Sequence, residues 1–184
     1  MIIRPALNVF QRRTSMILLF GAFRPFEPES PISDAEVDLV QRIVGNARRY
    51  RQPLTFTRKV PAPGTPPQGV WLPGCQPRIS DRVFDHTTDT AFGNPEFCEM
   101  YHRLRLFGFR AAGAYCDSSF QATLGDQKCD RDKVELISDS PPLQYCSTKA
   151  NLAANTDSVL PHIDGTKIID YFSWLNELRF VEYS

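Results

Sequence analysis

An α/β protein is the fold class this sequence predicts: a doubly wound, mostly parallel sheet of five or six strands with helices on both faces, in a Rossmann-like three-layer arrangement. Three observations predict it. Strand-like segments alternate with segments of helical period five or six times along the chain. Two of the strand-like segments, Met16-Ile17-Leu18-Leu19-Phe20 and the run from Phe107 to Ala112, are short apolar runs of the kind buried on both faces of a sheet. The second run ends at Gly113, turns polar at Asp117-Ser118-Ser119 and continues as a helix, which sets a helix N-terminus at the carboxyl end of a strand. In open α/β sheets that edge is where ligands bind. With 184 residues the chain can bury one good core, so residues 15–184 read as one domain behind an N-terminal arm of residues 1–14.

Taken in order, Met16 to Phe20 is the first strand, and it gives way at Gly21-Ala22 to a Pro- and Glu-rich loop through Phe23-Arg24-Pro25-Phe26. Ser33-Asp34-Ala35-Glu36 is a capping box, and behind it Val37, Val40, Ile43, Val44 and Ala47 recur at helical spacing, so a helix is predicted from Asp34 to Tyr50. Residues 53–57 are the second strand. From Pro61 to Ile79 six prolines and several glycines exclude helix and central strand, and Trp71 within this stretch suggests a functional flap. Arg82 to Asp85 is a short strand, Thr90 to Asn94 a turn, and a helix from Pro95 turns Phe97, Met100, Tyr101 and Leu104 inward.

After the strand of residues 107–112, a helix runs from Ser118 to Gln127 and Lys133 to Ser138 forms the next strand, with Asp139 closing it at the same edge. Residues 143–156 are a weakly periodic helix and 158–163 an edge-like strand that tolerates Pro161. A last helix opens at Asp164-Gly165-Thr166, with Ile168, Ile169, Phe172, Trp174 and Leu175 as its buried side.

Lys+Arg and Asp+Glu both total 21, so nothing in the net charge draws the chain to nucleic acid or to an anionic membrane. No apolar run approaches the roughly 20 residues a membrane span requires. Arg12 to Phe23 only loosely imitates a secretion signal, since no small-x-small cleavage site follows. The five cysteines, at 75, 98, 116, 129 and 146, lack any metal-site spacing and read as reduced thiols in a cytoplasmic protein.

Within the strand-to-helix turn, Asp117, Ser118 and Ser119 are all competent N-caps. Ser119 therefore has two readings, a nucleophile or a first-turn serine satisfying backbone donors. Asp117 is a polar partner or a cap carboxylate favoured by the helix dipole. Cys116 reads as a packed thiol.

The order of these elements resembles the isochorismatase-like superfamily, which includes nicotinamidases, N-carbamoyl amidohydrolases and isochorismate-cleaving enzymes. The likeness covers residues 16–178 and is carried by Arg24-x-Phe26, by Trp71-Leu72-Pro73-Gly74-Cys75-Gln76-Pro77, by Thr90-Ala91-Phe92 in place of a Ser-Ala-Phe motif, and by Gly113 through Thr123 followed by Val134 to Asp139. The resemblance implies an aspartate at the end of the first strand, a lysine four residues before the Ser-Ala-Phe serine and a nucleophilic cysteine four before a threonine. Those positions are here Gly21, His86 and Ser119, with Thr123 retained. In the lysine's place His86 can activate Ser119, steady an anion, or simply sit at a pocket rim, and Ser119, His86 and Asp117 together have the composition of a hydrolytic triad. It also implies a pocket walled by Phe23, Phe26, Trp71, Phe92 and Tyr115 with Thr123 as a ligand-binding hydroxyl, a non-proline cis peptide at Ala114-Tyr115 and a homo-oligomer. No metal or other cofactor is expected, because residues 61–69 contain no histidine where metal-binding members carry them.

Two functions follow as expectations. The first is a catalytically inactive or repurposed member that has lost the Asp, Lys and Cys positions and binds a small aromatic or cyclic acid. The second is a divergent hydrolase or lyase of secondary metabolism in which Ser119, His86 and Asp117 have taken over.

Overall fold

A computed structural model of the chain describes residues 16–20, 22–26, 33–104, 109–113, 118–130, 134–138 and 167–182. In chain order its elements are β1 (Met16–Phe20), β2 (Phe23–Pro25), α1 (Asp34–Arg49), β3 (Leu54–Lys59), β4 (Gly69–Trp71) and β5 (Arg82–His86). A 3-10 turn (Ala91–Gly93), α2 (Pro95–Leu104), β6 (Phe109–Gly113), α3 (Ser118–Gly125), β7 (Val134–Ser138), β8 (Lys167–Asp170) and α4 (Tyr171–Glu182) complete it.

Six strands form one sheet in the order β5-β3-β1-β6-β7-β8, and every neighbouring pair is parallel. From β1 the chain first steps outward through β3 to β5, then returns to the other side of β1 for β6, β7 and β8. That reversal of direction makes the carboxyl ends of β1 and β6 the switch point of a doubly wound sheet, where such folds form their ligand crevice.

The alternation of side chains along the strands feeds two cores. Leu54 and Phe56 of β3, Ala112 of β6 and Ile137 of β7 pack with Leu39, Val40, Ile43, Val44 and Ala47 of α1 and with Trp174, Leu175 and Leu178 of α4. On the opposite face Phe84 of β5, Ala111 of β6 and Leu136 of β7 pack with Phe92, with Phe97, Met100 and Tyr101 of α2, and with Phe120 and Leu124 of α3. Adjacent residues of β6 and of β7 thus serve opposite cores, as a period of two requires. The predicted capping box forms at α1: the Ser33 side chain accepts the Glu36 N–H at 3.3 Å, and the Glu36 carboxylate accepts the Ser33 N–H at 3.0 Å.

Three differences from the sequence expectations have physical reasons. Residues 23–25 and 69–71, read as loop and flap, pair as a two-stranded antiparallel ribbon, with Phe23 opposite Trp71 and Pro25 opposite Gly69. Three-residue strands are too short to show a period, and Pro25 is tolerated because a ribbon this narrow is all edge. The last helix begins at Tyr171, since the β-branched pair Ile168-Ile169 extends β8 and the helix takes Asp170 as its cap, whose carboxylate accepts the Ser173 N–H at 3.0 Å. Consequently Ile168 and Phe172 are exposed, whereas Tyr171, Trp174, Leu175 and Leu178 are buried. Third, the strand read as residues 82–85 includes His86, because its ladder with β3 runs on to Lys59. The helix expected over 143–156, the strand over 158–163, the arm of residues 1–14, Gly21, Asp117, Cys116, Asp139 and the Ala114-Tyr115 bond lie outside the described residues.

Candidate active site

His86 is the last residue of β5 and stands in register with Lys59, the last residue of β3. It shares strand parity with Phe84, so it leans over the face covered by α2 and α3. Ser119 lies in the first turn of α3. The two meet: Ser119 Oγ is 3.2 Å from His86 Nε2, and both residues are buried, His86 at 2% and Ser119 at 7% exposure.

The other ring nitrogen fixes the proton. His86 Nδ1 lies 2.8 Å from the Thr88 carbonyl oxygen. A carbonyl only accepts, so Nδ1 carries the hydrogen; in the neutral ring Nε2 is then the acceptor and the Ser119 hydroxyl its donor. This is the arrangement in which an imidazole can take the proton of a serine as that serine attacks an electrophile.

Thr123 holds the serine from behind. Its hydroxyl donates to the Ser119 carbonyl at 2.7 Å and accepts the Ala91 N–H at 2.8 Å, with the residue 2% exposed. The expected ligand-binding hydroxyl is therefore engaged with the scaffold, and it ties α3 to the 3-10 turn. Thr90, one residue earlier, caps that turn by accepting the Phe92 N–H at 3.0 Å and donates to Asp126 beyond the end of α3 at 2.9 Å. Residues 86–94 thus hold both members of the pair, His86 through the Thr88 carbonyl and Ser119 through Ala91 and Thr123.

Beside the ring lies an ion pair, Lys59 Nζ to Asp89 Oδ1 at 2.8 Å, on exposed side chains. The Lys59 hydrogen bond holds the Asp89 carboxyl below its usual range, reinforced by the Lys59 charge and in smaller part by His86. On the opposite face of the sheet, Phe23 and Trp71 meet edge to face at 5.1 Å and Trp71 meets Phe56 at 5.4 Å. Above them the Arg58 guanidinium lies 5.2 Å from the Phe23 ring and 5.5 Å from the Trp71 ring, and it pairs with both Asp85 carboxylate oxygens at 2.8 and 2.9 Å.

Phe26 is 69% exposed, and Phe92 is buried against Phe97 and Tyr101 in the core. Tyr115 and Asp117 lie outside the described residues. Cys75 is fully buried, and burial pushes its thiol up to about 11, far from the range of a working nucleophile. Among the described residues no three His, Cys, Asp or Glu side chains cluster as a metal site, and no helix is long and apolar enough to cross a membrane.

No protein-family profile matches the chain, and no curated protein matches it. Solved structures do. A cysteine hydrolase from Pseudomonas syringae pv. phaseolicola superposes with a TM-score of 0.63 over 92% of this chain and 94% of its own, at 11% identity. This is the isochorismatase-like fold. An isochorismatase-like hydrolase from Alkaliphilus metalliredigens gives a TM-score of 0.59 over 90% and 97% of the two chains at 12% identity. An isochorismatase from Pseudomonas putida gives 0.56 over 74% and 72% at 19%. At such identities the likeness carries the three-layer α/β architecture, and the chemistry has to be argued from the residues present.

Sequence reasoning singled out both members of the pair but missed Thr88, whose contribution is a backbone carbonyl and leaves no mark in the residue type. Asp126 was also missed. Its position at the end of α3, three residues after Thr123, was the available signal.

Proposed function

We propose that this protein is a serine hydrolase on the isochorismatase-like fold, cleaving an amide or ester of a small aromatic or cyclic acid. Ser119 is the nucleophile and His86 the general base. The observation that supports it is the 3.2 Å contact between Ser119 Oγ and His86 Nε2 with Nδ1 held by a carbonyl. In this reading Ser119 Oγ attacks the acyl carbon as its proton passes to Nε2, and the imidazolium then returns that proton to the departing amine or alcohol. Water, deprotonated by the same nitrogen, releases the acid and regenerates Ser119. Attack takes place in the first turn of α3, where the helix dipole favours developing negative charge.

The Thr88 carbonyl fills the orienting role a carboxylate plays in a triad, so the reading does not depend on Asp117. It gives no part to the vinyl-ether reaction, for which the family uses an acid at the end of β1, where this chain has Gly21. A small molecule is the partner, with cytoplasmic residence and homo-oligomeric assembly as parts of the same proposal.

A fluorophosphonate probe tests it without knowledge of the substrate. The expected result is one phosphonyl adduct per chain on Ser119, formed as fluoride leaves, absent in Ser119→Ala and slowed about 10²-fold or more in His86→Gln, the range a general base contributes. Folded wild-type protein that never labels would overturn the proposal. If that inert protein gained melting temperature with small aromatic acids, the binding function would take its place.

A further inference from the structure

Gly93 is exposed and lies seven residues from the histidine, yet the packing gives it a specific place in the site. A Cβ built on Gly93 would stand 1.9 Å from Thr88 Oγ1 and 3.0 Å from both Thr88 Cβ and Cγ2. The Thr88 side chain occupies the space a side chain at 93 would need. It is locked there, because Thr88 Oγ1 donates to the Thr90 carbonyl at 2.8 Å. The Gly93 N–H closes the same turn on the Thr90 carbonyl at 3.1 Å, and Asn94 ties its far end to β5 by donating to the Asp85 carbonyl at 2.8 Å.

Rotating Thr88 about χ1 takes Oγ1 out of the overlap only by giving up its bond to the Thr90 carbonyl, and a β-branched side chain has few rotamers to offer. Its Cβ, fixed to the backbone, still stands at 3.0 Å, where the neighbour has to give by a few tenths of an ångström. A side chain at 93 therefore displaces the Thr88 backbone, and with it the carbonyl that receives the His86 Nδ1 hydrogen.

We propose that Gly93 and Thr88 are positioning residues that set the His86 tautomer: the bare Cα of Gly93 admits the Thr88 side chain, and the seated Thr88 carbonyl confines the imidazole hydrogen to Nδ1, keeping Nε2 as the acceptor for Ser119. This rests on the serine hydrolase reading for its purpose, though not for its structural content. Free imidazole side chains favour the hydrogen on Nε2, so the site works against the intrinsic preference of the ring.

The test is long-range proton–nitrogen NMR of full-length protein labelled with ¹⁵N in its three histidines, with the His86 signals identified by their loss in His86→Gln. The expected wild-type spectrum has a protonated Nδ1 and a bare Nε2. Gly93→Ala moves the ring to a mixture containing Nε2–H and slows Ser119 phosphonylation about 10-fold. Thr88→Gly/Gly93→Ala, which removes Cβ, Oγ1 and Cγ2 from the clash, returns most of both. A wild-type ring with its hydrogen on Nε2, or a Gly93→Ala ring unchanged from wild type, overturns the proposal.

If Gly93→Ala does not fold, the double variant decides: folded with an Nδ1–H ring it supports the link, and unfolded it overturns it. Wild-type protein that shows the Nδ1–H ring and its loss in Gly93→Ala but never labels on Ser119 leaves this inference standing and removes the hydrolase reading.

Discussion

The two faces of the sheet hold their long connections by different physics. Over the α2 and α3 face, the connection from β5 to α2 is fixed by directional bonds that are buried or partly buried: Thr88 to His86, Ala91 to Thr123, Thr123 to Ser119. Over the α1 face, the connection from β3 to β5 is held by area and charge. The ribbon of β2 and β4 rests Phe23 and Trp71 on Phe56 and Arg58, while Gln41 and Arg48 of α1 donate to the carbonyls of Pro73, Gly74 and Gln76. Hydrogen bonds among buried groups fix atoms to within tenths of an ångström, as proton transfer requires; stacked rings fix a wall. The proposed chemistry belongs on the first face.

Substitutions on the two faces should therefore fail differently. The largest effect is expected from Thr123→Val, which keeps the volume and deletes both bonds. It strands the Ala91 N–H in the interior, at about 1–3 kcal/mol for an unsatisfied group, and takes the second donor from the Ser119 carbonyl. Chemical denaturation should read that loss, and phosphonylation of Ser119 should fall with it.

Gly69→Ala strikes the other face. Its Cβ would lie 2.3 Å from the Arg24 carbonyl oxygen and 2.7 Å from the Phe23 ring, so the ribbon must open. The expected cost is about 1–3 kcal/mol, the range of overpacking, with faster proteolysis between residues 60 and 80. The Ser119 labelling rate should stay within a few-fold of wild type. If Gly69→Ala abolished labelling while Thr123→Val spared it, the division between the faces would be wrong.

The smallest effect is expected at Asp170. The Ser173 hydroxyl and N–H bonds hold its carboxyl below the usual range. A carboxyl whose pKa is lowered by folding stabilises above its unfolded pKa and loses that contribution as the pH falls through the folded value. Asp170→Asn keeps a capping side chain without the titration. Its melting temperature should fall less steeply than wild type below about pH 4 and lie slightly lower near neutrality.

The fold was legible because its signals are local and redundant. The Ser33 to Glu36 capping box, the apolar spacing behind it and the apolar runs of β1 and β6 each name an element without reference to the rest of the chain. The ribbon was not, since three residues on each side are paired only by tertiary contact across more than 40 residues of sequence. The start of α4 was misplaced because Asp164-Gly165 and Asp170 both look like caps, and only the pairing of Ile168 and Ile169 with β7 decides between them.

At the site, Ser119 and His86 could be picked out by residue type and position, but their meeting across 33 residues could not. Thr123 was found without its backbone partners, because a buried threonine spends its hydroxyl on whatever backbone lies nearest. Phe92 looks like a pocket aromatic in sequence; its ring is consumed by Phe97 and Tyr101.

The most direct measurement is the mass of the full-length chain after incubation with a fluorophosphonate, followed by mapping of the adduct. The account predicts a single phosphonyl group on Ser119, missing in Ser119→Ala and slowed by two orders of magnitude or more in His86→Gln. Labelling that survives Ser119→Ala, or a folded wild-type protein that takes up no probe at any concentration, would contradict it.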